Sequence, residues 1–184
     1  MRPALALLAF AALVALGSTA QGQTLAIVHA RAWTGQGGDP VSDATIVVDG
    51  GRIASVIAHG PIPAGVTVID AQGHPVTAGL VNGATQIGLT EITSARDTRD
   101  LAAAGDAVGA AFDVTLGLNP NSALIALARA DGVTRALSFP APSGAAPFSG
   151  LAATLRLRDG PDVVDRARVA LFVTLGGSAW PRAA

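Results

Sequence analysis

The chain has 184 residues, half of them hydrophobic, and a formal net charge of −1. It contains no cysteine, lysine or tyrosine, which excludes disulfide staples, thiolate metal sites, thiol nucleophiles and Schiff-base lysines. Its arginines are scattered and its aromatics are few, so it carries neither a phosphate-tracking stripe nor a stacking platform for nucleic acid.

Arg2 followed by the unbroken apolar run of residues 4–16 has the form of an export signal. Small residues follow, with Ser18-Thr19-Ala20 as one cleavage site and Ala20-Gln21-Gly22 as another. The run is too short to span a bilayer comfortably, so the expectation is a signal peptide over 1–20 and a periplasmic or secreted product with no membrane association after cleavage. LAIVHARAW then reads as a strand and GQGGDP as a loop. TIVVDGGRIASVIA reads as two strands joined at Asp49-Gly50-Gly51, where glycine supplies the positive φ angles of a tight hairpin. GPIPAG is a second loop, and VTVIDAQG alternates as a half-buried strand does.

LVNGATQIGL reads as a strand buried on both faces, followed by a polar loop over residues 91–100. LAAAGDAVGAAF has a helical pattern weakened by glycine. NPNSALIALARADG is the strongest helix: Asn121 or Ser122 caps it, Leu124, Ile125 and Ala128 share a face, and Gly132 stops it. VTRALSFP reads as a strand and APSGAAPFSG as a loop. In LAATLRLR, Leu155 and Leu157 alternate with Arg156 and Arg158. Asp159-Gly160-Pro161 is a turn with proline at a helix-starting position, and DVVDRARVALFV, compatible with helix or strand, is read as helix. Arg156, Arg158, Arg166 and Arg168 are interleaved with Asp159, Asp162 and Asp165, the pattern of a solvated face.

Strands first and a strand–helix–strand succession after them predict an α/β protein: a β-rich domain over 23–77, then an α/β unit of parallel strands over 78–184. A closed barrel takes about 250 residues, so the second part corresponds to the opening of one.

Three segments carry a family resemblance. DATIVVDGGRIASVIA resembles the hairpin in the N-terminal β domain of the amidohydrolase superfamily, the metal-dependent hydrolases. VIDAQGHPVTAGLVN resembles that family's crossing into its barrel, Asp-x-x-Gly-x-x-x-x-Pro-Gly-Leu-Ile-Asp. GATQIG falls where the family places His-x-His on the first barrel strand. The chain is similar to exported imidazolonepropionase-like members with a degenerate metal motif and a truncated barrel. The resemblance implies a composite β domain followed by the opening strands and helices of an incomplete TIM-type barrel.

The departures concern the metal. Residues i and i+2 of a strand share a face, which lets one strand hold an ion with two histidines. Here the pair is Ala84 and Gln86. Alanine has no donor, and a neutral amide oxygen is a poor zinc ligand. Asn82 stands where the family has Asp and Ala78 where it has Pro, and there is no lysine to bridge two metals. His29, His59 and His74 have no second ligand at metal spacing and read as structural. Glu91, the sole glutamate, and Asp97 or Asp100 beside it are the weak candidates for a general base. Asp113 and Asn119 are polar loop residues. No G-x-S-x-G elbow exists, and Gly35–Gly38 form a loop with no helix behind them.

Two expectations follow. In the first, an exported amidohydrolase-like protein has no hydrolase activity and no cofactor. In the second, a hydrolase of carbon–nitrogen bonds acts on small cyclic amides, with zinc or another divalent metal in a degenerate site or one completed by another chain. In either case an incomplete barrel leaves unpaired edges and apolar faces in water, which predicts self-association.

Overall fold

The computed structural model describes residues 24–91, 95–102, 109–142 and 147–175. The signal-peptide expectation and residues 103–108 of the glycine-weakened helix lie outside them. The chain divides into two compact units that meet in sequence between Ala78 and Gly79.

The first unit is a single sheet. Strand β1 (Leu25–Trp33) pairs antiparallel with β2 (Val41–Asp49), and β2 pairs antiparallel with β3 (Arg52–Ala58). The β2–β3 hairpin turns on Gly50 and Gly51, with φ of +55° and +75°, as the sequence pattern requires. On the other side of β1 lie two short parallel strands, β4 (Thr67–Asp70) and then β5 (Pro75–Thr77). Val68 and Ile69 on β4 are about half exposed, so the half-buried alternation expected there is not realised.

Between β4 and β5 the chain bulges through Gln72 and Gly73, with φ of +51° and +79°. β1 matches this by inserting a residue of its own. His29 sits at φ +52°, and its carbonyl accepts a hydrogen bond of 2.7 Å from Gly73 N–H. Pairing with β2 jumps from Ile27↔Ile46 to Ala30↔Ala44, three steps against two. β2 then returns the extra step through Asp43 at φ +48°. An inserted residue moves every later side chain to the opposite face. Ile27 before the bulge therefore joins Ala30 and Ala32 after it in one cluster, with Ala44, Ile46, Val56 and Val76.

The second unit begins with a parallel crossover. β6 (Leu80–Thr85) leads through helix α1 (Ala123–Ala130) to β7 (Val133–Ser138), which pairs parallel with β6. Ser122 caps α1 by accepting from Leu124 N–H, Asp131 is its C-cap, and Gly132 at φ +86° turns the chain out. Ile125 and Leu124 point from α1 into a core that includes Leu89, Val114, Ala136, Leu155 and Val163.

Beyond β7 the parallel pattern stops. β8 (Phe148–Arg156) and β9 (Val164–Val173) continue the sheet antiparallel, giving the order β6-β7-β8-β9. The helix expected over residues 162–173 is thus a strand. Pro161 opens no helix; Gly160, at φ +93°, reverses the chain into the β8–β9 hairpin. Cross-sheet partners decide the matter. Arg135 of β7 and Arg156 of β8 are directly opposed, a repulsive register, and Asp165 of β9 accepts from both at 3.1 and 2.8 Å. Phe172 stacks on Phe139 with ring centroids 4.3 Å apart. A helix would bring neither side chain to its partner.

β6 departs from expectation in a different way. It is a strand, yet Leu80 and Val81 are 56% and 66% exposed. Among the described residues β6 is an edge strand, bonded to β7 alone, and α1 lies against β7. Its apolar composition is that of a central strand; its surroundings are not.

Leu155 is fully buried in the second unit's core. Leu155→Ala should lower unfolding free energy by about 2–5 kcal/mol, read as a shifted urea midpoint. Gly150→Ala should be at least as damaging, because at φ +131° its Cβ would stand 2.6 Å from the Phe112 carbonyl oxygen.

Candidate functional site

The parallel pair β6–β7 directs the ends of both strands towards the loop that follows β6. This is where an α/β unit places chemistry, and where Ala84, Gln86, Glu91 and Asp97 fall in the sequence. Ala84 is exposed near the end of β6, and Asn82 Oδ1 accepts from its N–H at 3.2 Å. Gln86 lies just beyond the strand, half-buried, in a turn closed by Leu89 N–H donating to its carbonyl at 3.0 Å. Thr85 Oγ1 accepts from Ile87 N–H, and Ser138 Oγ on β7 donates to the Ile87 carbonyl at 2.9 Å. Gly88 at φ +83° lets the chain reverse, and its carbonyl accepts from Asn119 N–H at 2.7 Å. The loop is thus pinned by backbone bonds.

Glu91 follows directly. Its Oε1 accepts from Asn119 Nδ2 at 3.0 Å and its Oε2 from Ala123 N–H at 3.2 Å. Ala123 is the first residue of α1. A carboxylate there satisfies an orphan donor and complements the positive end of the helix. The geometry therefore gives Glu91 a bracing role between the β6 loop and the helix. Asp97 is exposed on the 3₁₀ turn Arg96–Thr98, and among the described residues no side-chain hydrogen bond or ion pair joins it to Glu91.

Among the described residues no three His, Cys, Asp or Glu side chains converge where a metal ion could sit. The metal implied by the sequence resemblance does not fit the residues present. Ala84 contributes no lone pair, and Gln86 offers an amide with no imidazole or carboxylate beside it.

Two of the three histidines pair instead with aspartates, at separations that no short motif reveals. His29 Nδ1 lies 3.0 Å from Asp70 Oδ1, which also accepts from Gln72 N–H at 2.8 Å. His59 Nδ1 lies 2.7 Å from Asp43 Oδ2. A carboxylate can only accept, so the proton is on Nδ1 in both pairs. Asp70 is held below the usual carboxylate value, first by the Gln72 N–H and then by His29. His74 donates its backbone N–H to the Ala71 carbonyl.

The arginine–aspartate stretch resolves into pairs: Arg129 with Asp159, Arg158 with Asp162, and Arg156 with Asp165. Arg168 reaches Asp113 at 2.7 Å. Asp113 is the most buried of these acids, with its side chain 6% exposed. Burial alone would raise its carboxyl; hydrogen bonds from Arg168 and Thr115 outweigh that and lower it.

With this geometry in place, the known structures become informative. The described fold superposes on an amidohydrolase from Thermotoga maritima MSB8 with a TM-score of 0.73 and 21% identity, covering 84% of this chain and 40% of that one. The fold is amidohydrolase-like. A structure of molinate hydrolase is 36% identical over 39% of this chain and 15% of its own, but its TM-score of 0.34 adds nothing to that assignment. No family model matches the sequence. No curated protein matches it either. The chain spans 40% of the length of the Thermotoga protein, so likeness to it establishes architecture and not activity.

Glu91→Ala should remove both contacts to Asn119 and Ala123 and cost about 1–2 kcal/mol of stability in urea unfolding, with Glu91→Gln recovering part of it. Asp113 has a depressed folded-state value, so its contribution is present above the ordinary 3.8 and is lost as pH falls through the lower folded value. The Tm gap between wild type and Asp113→Asn should therefore be widest near neutrality and narrow as pH drops below about 4.

Proposed function

We propose that this chain is an exported member of the amidohydrolase superfamily whose first-strand metal motif is degenerate, and that these residues do not build a hydrolytic metal centre. One observation carries the reading. At the two positions where the resemblance requires imidazoles stand Ala84 and Gln86, and the described residues bring no other metal-ligating trio together. Metal-assisted hydrolysis depends on an ion that lowers the pKa of bound water enough to supply hydroxide at neutral pH. That requires about three protein donors in fixed geometry. Glu91, the one carboxylate at the end of the β6 loop, is engaged by Asn119 and the α1 N-terminus, so it does not replace them. The remaining role is that of a binding or structural module built on an amidohydrolase-like frame.

The competing reading is a hydrolase of carbon–nitrogen bonds in small cyclic amides. It is favoured by one fact, that the chain matches 40% of its structural neighbour, so donors would have to come from other strands or another chain.

Elemental analysis of protein purified without chelators separates the two. The expected result is substoichiometric zinc, manganese and iron, and cyclic-amide hydrolysis that EDTA leaves at the buffer rate. Stoichiometric metal together with EDTA-sensitive ring opening would overturn the proposal in favour of the hydrolase. Export is tested separately, by mass spectrometry of the periplasmic fraction, where a mature chain beginning near Gln21 is expected.

A further inference from the structure

We infer that Asn82 is a site of covalent modification: the Gly83 nitrogen attacks its side-chain amide and converts it to aspartate and isoaspartate without an enzyme. The step uses atoms of two neighbouring residues, so it asks for no further strand, chain or bound ligand. Hydroxide takes the proton from the Gly83 nitrogen, which bonds to Asn82 Cγ. The Cγ–Nδ2 bond breaks, and Nδ2 takes a proton from water and leaves as ammonia. Water then opens the cyclic imide at either of its carbonyls. Opening between Cγ and the Gly83 nitrogen leaves aspartate. Opening at the main-chain carbonyl leaves isoaspartate, whose backbone runs through Cβ and Cγ.

The sequence singles out this residue. The chain has three asparagines, Asn82, Asn119 and Asn121. Asn119 precedes Pro120, whose nitrogen has no proton to lose. Asn121 precedes Ser122, which is 3% exposed and whose N–H donates to the Asn119 carbonyl at 3.3 Å. Asn82 alone is followed by glycine, which has no Cβ to obstruct the approach to Cγ.

The structure supplies what a regular strand would withhold. The ring closes only when the Asn82–Gly83 peptide turns from its extended conformation towards the side chain, and a continuous ladder resists that rotation. Here the ladder is broken. β6 pairs with β7 through Asn82↔Ala136 and next through Thr85↔Ser138, three steps against two, so Gly83 and Ala84 lie in a bulge. Asn82, Gly83 and Ala84 are all exposed. Nothing lies within 4 Å of the place a Gly83 Cβ would occupy, so no neighbour clamps this peptide. The Asn82 side chain is already folded back along its own backbone, with Oδ1 accepting from Ala84 N–H at 3.2 Å. That bond holds the amide beside the main chain and draws electron density from Cγ, which favours attack. Both products add a negative charge to β6, and isoaspartate also lengthens its backbone by a methylene inside the bulge. The aspartate product carries the acid that the family resemblance expects at this position, although the chemistry does not depend on the resemblance.

The test holds the purified full chain in mildly alkaline buffer, native and in guanidinium chloride, and follows tryptic peptides over time. Asn82 lies in peptide 53–96, and Asn119 and Asn121 lie in peptide 100–129. Expected is a mass gain of about 1 Da in the first peptide, placed at residue 82 by electron-transfer fragmentation, with isoaspartate the larger product and the second peptide unchanged. The native rate should stay within about tenfold of the denatured rate, because no stable core has to open first. Gly83→Ala should slow the reaction at least about tenfold by obstructing the attacking nitrogen. Its far-UV circular dichroism should be unchanged, since Gly83 does not have a positive φ and the space beside it is open. Native protein that reacts more than about tenfold slower than denatured protein would overturn the inference, because β6 would then be protecting the site. A Gly83→Ala chain that reacts as fast as wild type would overturn it too, since the mass gain would then come from direct hydrolysis and not from Gly83.

Discussion

Side chains on an extended strand alternate between faces, and one inserted residue transfers everything beyond it to the other side. The first unit is organised around one such insertion. His29 at φ +52° is the extra residue of β1, matched by Gln72 and Gly73 on one flank and by Asp43 on the other. Non-glycine residues avoid this region of backbone space, at a cost of order 1 kcal/mol each. The bends persist because neighbours fix them. The His29 carbonyl accepts from Gly73, Asp70 holds both the His29 ring and the Gln72 N–H, and Asp43 binds the His59 ring and accepts the His59 N–H at its carbonyl. The outcome is an apolar face that continues across the bulge, with Ile27 before it and Ala30 and Ala32 after it in one cluster.

The same alternation orders the second unit. Leu155 and Leu157 face the core while Arg156 and Arg158 face outward, as their sequence positions require. The outward face then carries a charge problem, because the register opposes Arg135 to Arg156. β9 answers it by presenting Asp165 to both. Arg156 is the principal cause of that aspartate's lowered pKa, with Arg135 and Arg166 adding to it. The ion pair thus links three strands and fixes which edge of the hairpin meets the sheet.

How much of this was legible in the sequence differs by element, for physical reasons. The β2–β3 hairpin was legible because Gly50 and Gly51 supply a backbone conformation that few residues adopt. Helix α1 was legible because its cap, apolar face and terminating glycine are all local. β9 was not, because its apolar spacing suits either period, and what makes it a strand lies on β7 and β8: Arg135, Arg156 and Phe139. The exposure of β6 was hidden for a related reason. Composition reports what a strand is able to bury, whereas the neighbours decide what it does bury. The His–Asp pairs join residues 41 and 16 positions apart and leave no motif behind.

Alternation also limits what the amidohydrolase-like frame can do. An extended β6 places residues two apart on one face, and that geometry is what a His-x-His pair exploits. Geometry of this kind is necessary for chelation but supplies no affinity, which comes from lone pairs on imidazole, thiolate or carboxylate. At Ala84 the side chain ends at a methyl group, and Gln86 sits past the strand end in a turn held by Leu89. The nearest strong donor in sequence, Glu91, is drawn the other way, onto the first turn of α1. Redirecting it to a cation would strip Asn119 and Ala123 of their acceptor, so metal binding there would compete with the contact that joins the β6 loop to the helix. The frame and the chemistry are therefore separable in this chain: the backbone holds the pattern, and its side chains serve the fold.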